Sequence, residues 1–566
     1  MCGIFALLNV YGNNSMYSIS RDRIQKEFEK GKNRGPEFSK LDESYLKMTL
    51  GFHRLAINGL NDASNQPLVI DNIVLICNGE IYNYKKLYQL MNVTPVTQSD
   101  CEVIIHLYKK YGIEQTLTML DGVFSFILLD NRINDTICNN VYIARDPFGV
   151  RPLYYLKNVV SSESSIYGFA SELKCLNNLL DTDLPNTSSI TQFAPGTYSV
   201  FNLSSKVKSI WTPVKESVPY FVPSFSHPFT ANINHISTYL DNAVQKRCLT
   251  TERPIACLLS GGLDSSLITA LVNNFYKNNN IQQKLETYSI GLEGSEDLKN
   301  ARVVADYLET NHTEIIVTEQ EMFDAIPEVI YAIESYDTTT VRASIGNYLL
   351  GKYISSHSDA KVIFNGDGSD ELCGGYLYMN NCPDSIEFDK ETRRLLKDIH
   401  LFDVLRSDKC ISSHGLEPRT PFLDKNFVNF YLSIPCEERF HKNTGKCEKY
   451  LLRNSFSVDN YKDFEGKQLL PDEILWRRKE AFSDGVSNHG RSLYQILQEH
   501  IVKYWENKFI KQFAVHIETE KMYYRSIFES NYKNHTDILP YFWMPKYTNA
   551  TDPSARTLDI YNKMLS

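Results

Sequence analysis

Hydrophobic side chains in the first third of the chain fall in short runs, some alternating and some continuous, bounded by Gly, Pro, Asn or Asp. GIFALLNV, LKMTLGFHRLAI, NIVLICNGEIY, GVFSFILLD, VYIARDPFGVRPLYYL and GTYSVFNL all read this way, as β-strands. Helical spacing interrupts them at 101–110, where Glu102, His106 and Lys110 share a polar face. The pattern predicts an α+β layout rich in antiparallel pairing over 2–205. WTPVKESVPYFVPSFSHPF, dense in Pro and Ser, predicts a linker over 206–230. A different pattern then begins. IACLLS is an apolar strand running into a glycine turn and a helix, DSSLITALVNNFY; LETYSIGL and KVIFNGDGSDE repeat the arrangement. Strands alternating with helices predict a second domain over 231–566, α/β with a parallel sheet and sites at the strands' C-terminal ends. Past about residue 380 the chain reads as mostly helical, with a polar, aromatic tail over 530–566.

A length of 566 residues exceeds one ordinary core, which agrees with two domains. With 42% hydrophobic and 22% charged residues the composition is that of a folded protein rather than a disordered one. The net charge of −9 provides no field for a nucleic-acid backbone, so no nucleic-acid partner is expected. MCGIFALLNV is apolar but follows no basic residue, so it fails as a signal peptide, and no apolar run is long enough for a bilayer. The 12 cysteines form no C-x-x-C pair, which removes a zinc site and favours a reduced, cytoplasmic chain without a membrane partner.

Candidate chemistry starts at Cys2. Removal of Met1 would leave a thiol and a free α-amine on one residue; with ordinary pKa values of about 8.5 and about 7.7 to 8.0, the amine can take the thiol proton near neutrality. By position alone, Cys2 is equally a small hydrophobe at a strand start. Asn78 and Gly79, in NGE, offer a side-chain amide and a backbone N–H for a developing oxyanion, each such donor worth about 2.7 to 4 kcal/mol. Asn-Gly is also a common hairpin turn. Arg54 and Asp100 supply the cation and anion that the carboxylate and ammonium of a free amino acid require, although surface ion pairs would account for either residue alone.

In this order, MCGIFA, NRGPE, GFHRLA, QPL, NGEIYN, SDCEVI, LDGVFSF and ARDPFGVRPLYY resemble the class II glutamine amidotransferases of the N-terminal nucleophile hydrolase superfamily. The resemblance implies an αββα sandwich in which Cys2 is the nucleophile and Asn78 and Gly79 form the oxyanion hole. Arg54, Glu80 and Asp100 would hold L-glutamine, with the backbone of Leu55, Ala56, Ile57 and Asn58 lining the pocket. Asn33 and Glu37 in NRGPE replace the His and Asp usual in this family.

The second candidate is SGGLDSS, Ser260 to Ser266, set between a strand and a helix so that N–H groups and hydroxyls can wrap a phosphate at a helix N-terminus. It lacks the G-K pair of a Walker A loop. An ordinary Gly-Gly turn with an N-cap is the plainer explanation of any part of it. Asp264 and Asp370 are oxygen ligands suited to Mg²⁺ on pyrophosphate. Lys479 in WRRKEAFSDG is placed to offset phosphate charge. Such loops resemble the PP-loop of ATP pyrophosphatases. The series SGGLDSS, YSIGL, TTTVRAS, NGDGSDEL, LFDVLR, EPRTPFLD and WRRKEAFSDG resembles the synthetase domain of asparagine synthetases, in a Rossmann-like α/β fold with additional helices.

That likeness implies ATP at Leu259, Ser260, Gly261, Gly262, Asp264, Ser265, Ser266, Ile290, Asn365 and Gly366. Thr339 and Arg342 would handle L-aspartate or its adenylate, and Asp403 and Arg406 would take part in communication between domains. It also implies a homodimer. NGDGSDE stands where the family has SGEGSDE, so Asp367 replaces a Glu important for the intermediate and Asn365 replaces a Ser. Two alternatives remain at this point: a β-lactam-forming relative with another acceptor, against which the complete Cys2 set argues, and a catalytically silent amino-acid sensor, for which the substitutions at 365 and 367 are the support. The α-amine mechanism predicts that active protein lacks Met1 by intact-mass measurement; active protein retaining Met1 would exclude it.

Overall fold

The computed structural model describes the chain except for residues 11–18, 133–138, 162–163, 180–187, 205–209, 224–234, 478, 480–484, 488–490, 508–516, 560 and 562–566. Strands β1 (Gly3–Leu8), β2 (Phe38–Tyr45), β3 (Met48–Arg54), β8 (Tyr154–Ser161), β9 (Ser164–Ala170) and β10 (Ser188–Gln192) form one sheet in the order β10-β8-β9-β1-β3-β2. Strands β4 (Leu68–Ile70), β5 (Ile73–Ile81), β6 (Gly122–Asp130), β7 (Asn140–Arg145), β11 (Thr197–Ser204) and β12 (Ile210–Pro219) form the second, ordered β12-β11-β7-β6-β5-β4. The pairings recorded within both sheets are antiparallel.

The alternation read from sequence packs them. Ile4, Ala6 and Leu8 of β1 meet Val74 and Ile76 of β5, Ile127 and Leu129 of β6 and Val141 and Ile143 of β7 in one buried cluster between the sheets. Leu75, Cys77, Phe126 and Leu128 face the other way, onto the helices Tyr84–Met91 and Val103–Met119. Phe5 and Leu7 turn to the opposite outer face, covered by the helix Arg21–Glu29 and by elements of the second half of the chain. This is the expected αββα sandwich. Two details depart from the sequence reading. Glu102 does not join a solvated polar face; it is buried and binds His106 at 2.9 Å. Residues 210–219, read as linker, are β12. Its Pro213 and Pro219 are tolerated because β12 is an edge strand, where missing ladder donors cost little, so the sandwich extends to Pro219.

Strands β13 (Ile255–Leu258), β14 (Glu286–Gly291), β15 (Asn311–Ile316), β16 (Val362–Phe364) and β17 (Glu417–Arg419) form a parallel sheet in the order β15-β14-β13-β16-β17. The order reverses direction between β13 and β16. Loops leaving their C-terminal ends diverge there and leave a crevice, and those loops are SGGLDSS and NGDGSDE. Among the described residues no helix is long and apolar enough to cross a membrane.

The two units meet through buried charge. Arg34 Nη1 bonds Glu172 Oε1 at 2.7 Å and, across the contact, Asp408 Oδ2 and Ser412 Oγ at 2.8 Å each. Arg151 approaches Asp408 at 3.3 Å and Glu417 at 3.7 Å. Lys409 pairs with Glu334, which in turn accepts from the backbone N–H groups of Leu173 and Lys174 at 2.8 and 2.9 Å. Removing one partner of a buried pair strands the other. Lys409→Met is therefore expected to lose about 3 to 5 kcal/mol in equilibrium urea unfolding, whereas Lys352→Met, at the exposed pair with Glu328, leaves the transition unmoved.

Candidate active sites

Cys2 precedes β1, which lies between β3 and β9, so its position is set by two ladders. Its N–H donates to Asn78 Oδ1 at 3.1 Å, and its thiol lies 3.8 Å from the Leu55 carbonyl. Burial pushes the thiol up to about 11 against the pull of the terminal ammonium and Arg54. Met1 is buried, its ammonium 3.2 Å from Glu417 Oε2 in the second unit. Trimming Met1 would put a free amine at the Cys2 nitrogen, already oriented by Asn78.

NGE is not a hairpin turn. It lies within β5, where Asn78, Gly79 and Glu80 oppose Ser125, Phe124 and Val123 of β6. Along the other edge of β5, Cys77 N–H is taken by Gln66 Oε1 at 2.6 Å and Ile81 N–H by Asp100 Oδ2 at 2.7 Å. Strand periodicity puts the Gly79 N–H on that same edge, between them and beyond the end of the β4 ladder. The Asn78 side chain, which accepts from Cys2 N–H and donates to Ser171 Oγ at 3.4 Å, and this N–H lie on neighbouring residues of the strand. Only glycine fits at 79, because a Cβ would stand 2.4 Å from the Val123 carbonyl.

Arg54 is buried, its guanidinium held by the carbonyls of Asn58, Gly59 and Asn61 and by Asn65 Oδ1 at 2.6 Å. No carboxylate pairs with it among the described residues, so its charge is available to an incoming one. Asp100 is its complement: a buried acid with no cationic pair among the described residues, pushed up to about 6 chiefly by desolvation. Glu80 accepts from Asn58 Nδ2 at 2.6 Å and faces Arg419 at 3.5 Å. Burial beside Asp100 and Glu417 raises its carboxyl well above the usual range. Glu37, one of the unusual residues of NRGPE, accepts from Ala56 N–H at 2.7 Å and binds Arg253 at 2.7 Å, while Ile57 O receives Glu252 N–H at 3.0 Å. The strip Leu55 to Asn58 is tied to both units. The other unusual residue, Asn33, is exposed.

The second site is the crevice at β13 and β16. Leu259, Ser260, Gly262, Asp264, Ser265, Ile290, Thr339, Asn365, Gly366, Asp367, Asp370, Asp403, Arg406 and Lys479 all line one cavity. Gly262 caps the helix Leu263–Asn278, whose N-terminal amides open into it. The Thr339 hydroxyl is buried without a hydrogen-bond partner among the described residues.

Three expected residues stand elsewhere. Gly261 stands behind the cavity wall at φ +72°, where a Cβ would lie 2.4 Å from Ala301 N, and its carbonyl receives Arg477 at 2.9 Å. Ser266 is fully buried on the following helix and does not reach the cavity. Arg342 is drawn away from the cavity by two buried acids of the C-terminal region, Glu520 at 2.6 Å and Asp552 at 2.7 Å.

Sequence reading missed Lys449, which no motif marks. Its Nζ sits 2.7 Å from Asp264 Oδ2, 2.5 Å from Asp370 Oδ1 and 3.2 Å from Ser369 Oγ. Lys479 reaches Asp370 Oδ2 at 2.6 Å. Burial would raise Asp370, but the two lysines hold it far below the ordinary carboxylate range. Among the described residues no cluster of three or more His, Cys, Asp or Glu forms a complete metal cage. Two facing carboxylates in a phosphate-sized crevice nevertheless fit Mg²⁺, which takes one or two protein carboxylates and completes its shell with phosphate and water.

A cysteine at the head of an antiparallel sandwich, and a loop-lined crevice at a parallel sheet's switch point, are the arrangement of an amidotransferase domain joined to an ATP-using synthetase domain. Comparison with known proteins agrees. The glutamine amidotransferase domain model matches residues 1–222, and the asparagine synthase model matches 235–388 and 380–551. The chain is 41% identical over 590 residues to an asparagine synthetase (glutamine-hydrolyzing) of Gallus gallus, covering 100% of both chains. It is 40% identical over 586 residues to those of Bos taurus and Homo sapiens, covering 99% of each chain. The chain belongs to the asparagine synthetase family.

The raised Asp100 carboxyl carries a pH dependence. If its ionised form receives the glutamine ammonium, KM for glutamine rises as pH falls through about 6 and Asp100 protonates. In Asp100→Asn, KM is high and flat across that range; a wild-type KM constant from pH 5 to 8 would exclude this role.

Proposed function

We propose that this enzyme makes L-asparagine from L-aspartate, ATP and L-glutamine. The observation carrying the reading is the joint presence, in the same chain, of a buried Arg54 acting on the Cys2 thiol and a buried Asp100, neither with an opposite charge paired to it among the described residues, and of a crevice lined by Ser260, Asp264, Asp367, Asp370, Thr339 and Lys479. The sandwich, up to about Pro219, acts as the glutaminase, and the region from about 231 onward acts as the synthetase.

In the first site the Cys2 α-amine takes the thiol proton, the thiolate adds to the glutamine amide carbon, and Asn78 and Gly79 stabilise the oxyanion. Ammonia leaves, and water releases glutamate from the thioester. In the second site the aspartate β-carboxylate attacks the α-phosphorus of ATP, giving β-aspartyl-AMP and pyrophosphate. Ammonia then attacks the activated carbonyl and AMP departs. Ser260, Ser265 and the amides at Gly262 cradle the pyrophosphate; Leu259 and Ile290 flank the nucleotide. Lys479 and Lys449 offset phosphate charge. Asp264 and Asp370 would hold Mg²⁺, which supplies charge neutralisation on pyrophosphate when bound. Thr339 offers its hydroxyl, unpartnered among the described residues, to aspartate, and Asp367 serves as a base or relay in forming the intermediate. The reading carries with it a cytoplasmic homodimer.

The test is a pair of assays. Cys2→Ala should lose asparagine synthesis from glutamine by at least about a thousandfold while keeping synthesis from ammonium within about twofold of wild type. Loss of both activities in folded protein, or saturable ATP binding without pyrophosphate release in wild type, would overturn the reading.

A further inference from the structure

Asp367 is half-buried at the cavity wall, and its two oxygens are treated differently. Oδ1 accepts from Arg406 Nη2 at 3.1 Å; Oδ2 is buried with no hydrogen-bond partner among the described residues. The helix Asp403–Ser412 that supplies Arg406 carries Ser407 as its next residue, fully buried and outside the cavity lining, with its hydroxyl beside the Asp367 carboxylate. Ser407 Oγ receives Asn365 Nδ2 at 2.7 Å, and Asn365 Oδ1 receives the Asp367 N–H at 3.3 Å. Asn365 is itself anchored by its N–H to the Arg419 carbonyl at 3.1 Å. A serine hydroxyl has one proton and two lone pairs. One lone pair is spent on the Asn365 amide, so the proton remains for an acceptor, and the Asp367 carboxylate that Ser407 approaches has one buried oxygen, Oδ2, without a partner among the described residues.

We infer that Ser407 and Asn365 are positioning residues for Asp367: the Asn365 amide orients the Ser407 hydroxyl, which donates to Oδ2 while Arg406 holds Oδ1. The inference rests on the reading of Asp367 as a base or relay in the synthetase site. A carboxylate held at both oxygens by consecutive residues of one helix has a single orientation, which an aspartate in this loop would otherwise lack. Asn365 suits the role because its amide bridges two groups at once, accepting from the Asp367 backbone and donating to Ser407.

The test uses the full-length enzyme with ammonium as nitrogen donor. Ser407→Ala is expected to lower kcat for aspartate-dependent pyrophosphate release by about tenfold or more, with KM for ATP unchanged. Ser407→Thr, which keeps the hydroxyl, is expected to recover kcat to within about twofold, and glutamine hydrolysis is unchanged in both. Wild-type kcat in Ser407→Ala, or equal impairment in Ser407→Thr, overturns the inference. A crystal structure of Ser407→Ala decides it independently of turnover: Asp367 in a second rotamer, or released from Arg406, supports it, and an unmoved carboxylate overturns it. Should wild type release no pyrophosphate with aspartate, the proposed function fails, and that structure alone decides the positioning role.

Discussion

The ion network between the two units is the constraint on which the arrangement depends. Arg34, Glu172, Lys174, Glu334, Asp408 and Lys409 are all at most 6% exposed and come from both halves of the chain. Charges taken out of water at such cost must meet partners in good geometry, so the network admits few relative placements of the units. Burial would raise the Glu417 carboxyl, but the Met1 ammonium, Arg419 and Arg151 hold it down at about 2. Met1 shares in the contact until it is trimmed; Glu80, facing Arg419 at 3.5 Å, and Asn58, donating to the Thr250 carbonyl at 3.3 Å, join the units without it.

One short helix carries much of this geometry. Asp408, Lys409 and Ser412 of Asp403–Ser412 engage the first unit, including Arg34, whose Nε also donates to the Cys2 carbonyl at 3.0 Å. Asp403 and Arg406 of the same helix line the synthetase cavity, and Asp403 receives the Gly368 N–H at 3.0 Å. A displacement of this helix would be felt at both sites.

Legibility from sequence followed the range of the interaction involved. Strand alternation placed both sheets, and the glycine-rich loops after apolar strands located the second site, because these patterns answer to local backbone geometry. Asn78 and Gly79 carried the right chemistry but two local structures, turn or strand. Pairing with β6 decided for the strand, and with it which N–H faces outward. The proline-rich stretch misled at 210–219 because proline's penalty depends on whether a strand lies at an edge, which composition does not encode. Arg342 sat in a matching motif, yet Glu520 and Asp552, about 180 and 210 residues away, claim its guanidinium.

By itself the sequence determined the two-part architecture and the glycine-rich loops after apolar strands, and it singled out Cys2, Asn78 and Gly79 as candidates, since each lies in a contiguous motif whose residue types suit the chemistry. Only tertiary structure decided which groups share a site. Lys449 belongs to no recognisable pattern and becomes part of the synthetase cavity through contact with Asp264 and Asp370, 185 and 79 residues away. Ser407 is an ordinary helical serine until Asn365 spends one of its lone pairs. Cys2 remains the residue both levels agree on. The motif supplies its thiol and amine; the fold supplies the Asn78 amide and a buried Arg54 with no paired carboxylate among the described residues, because burial without a counter-ion is a property of packing.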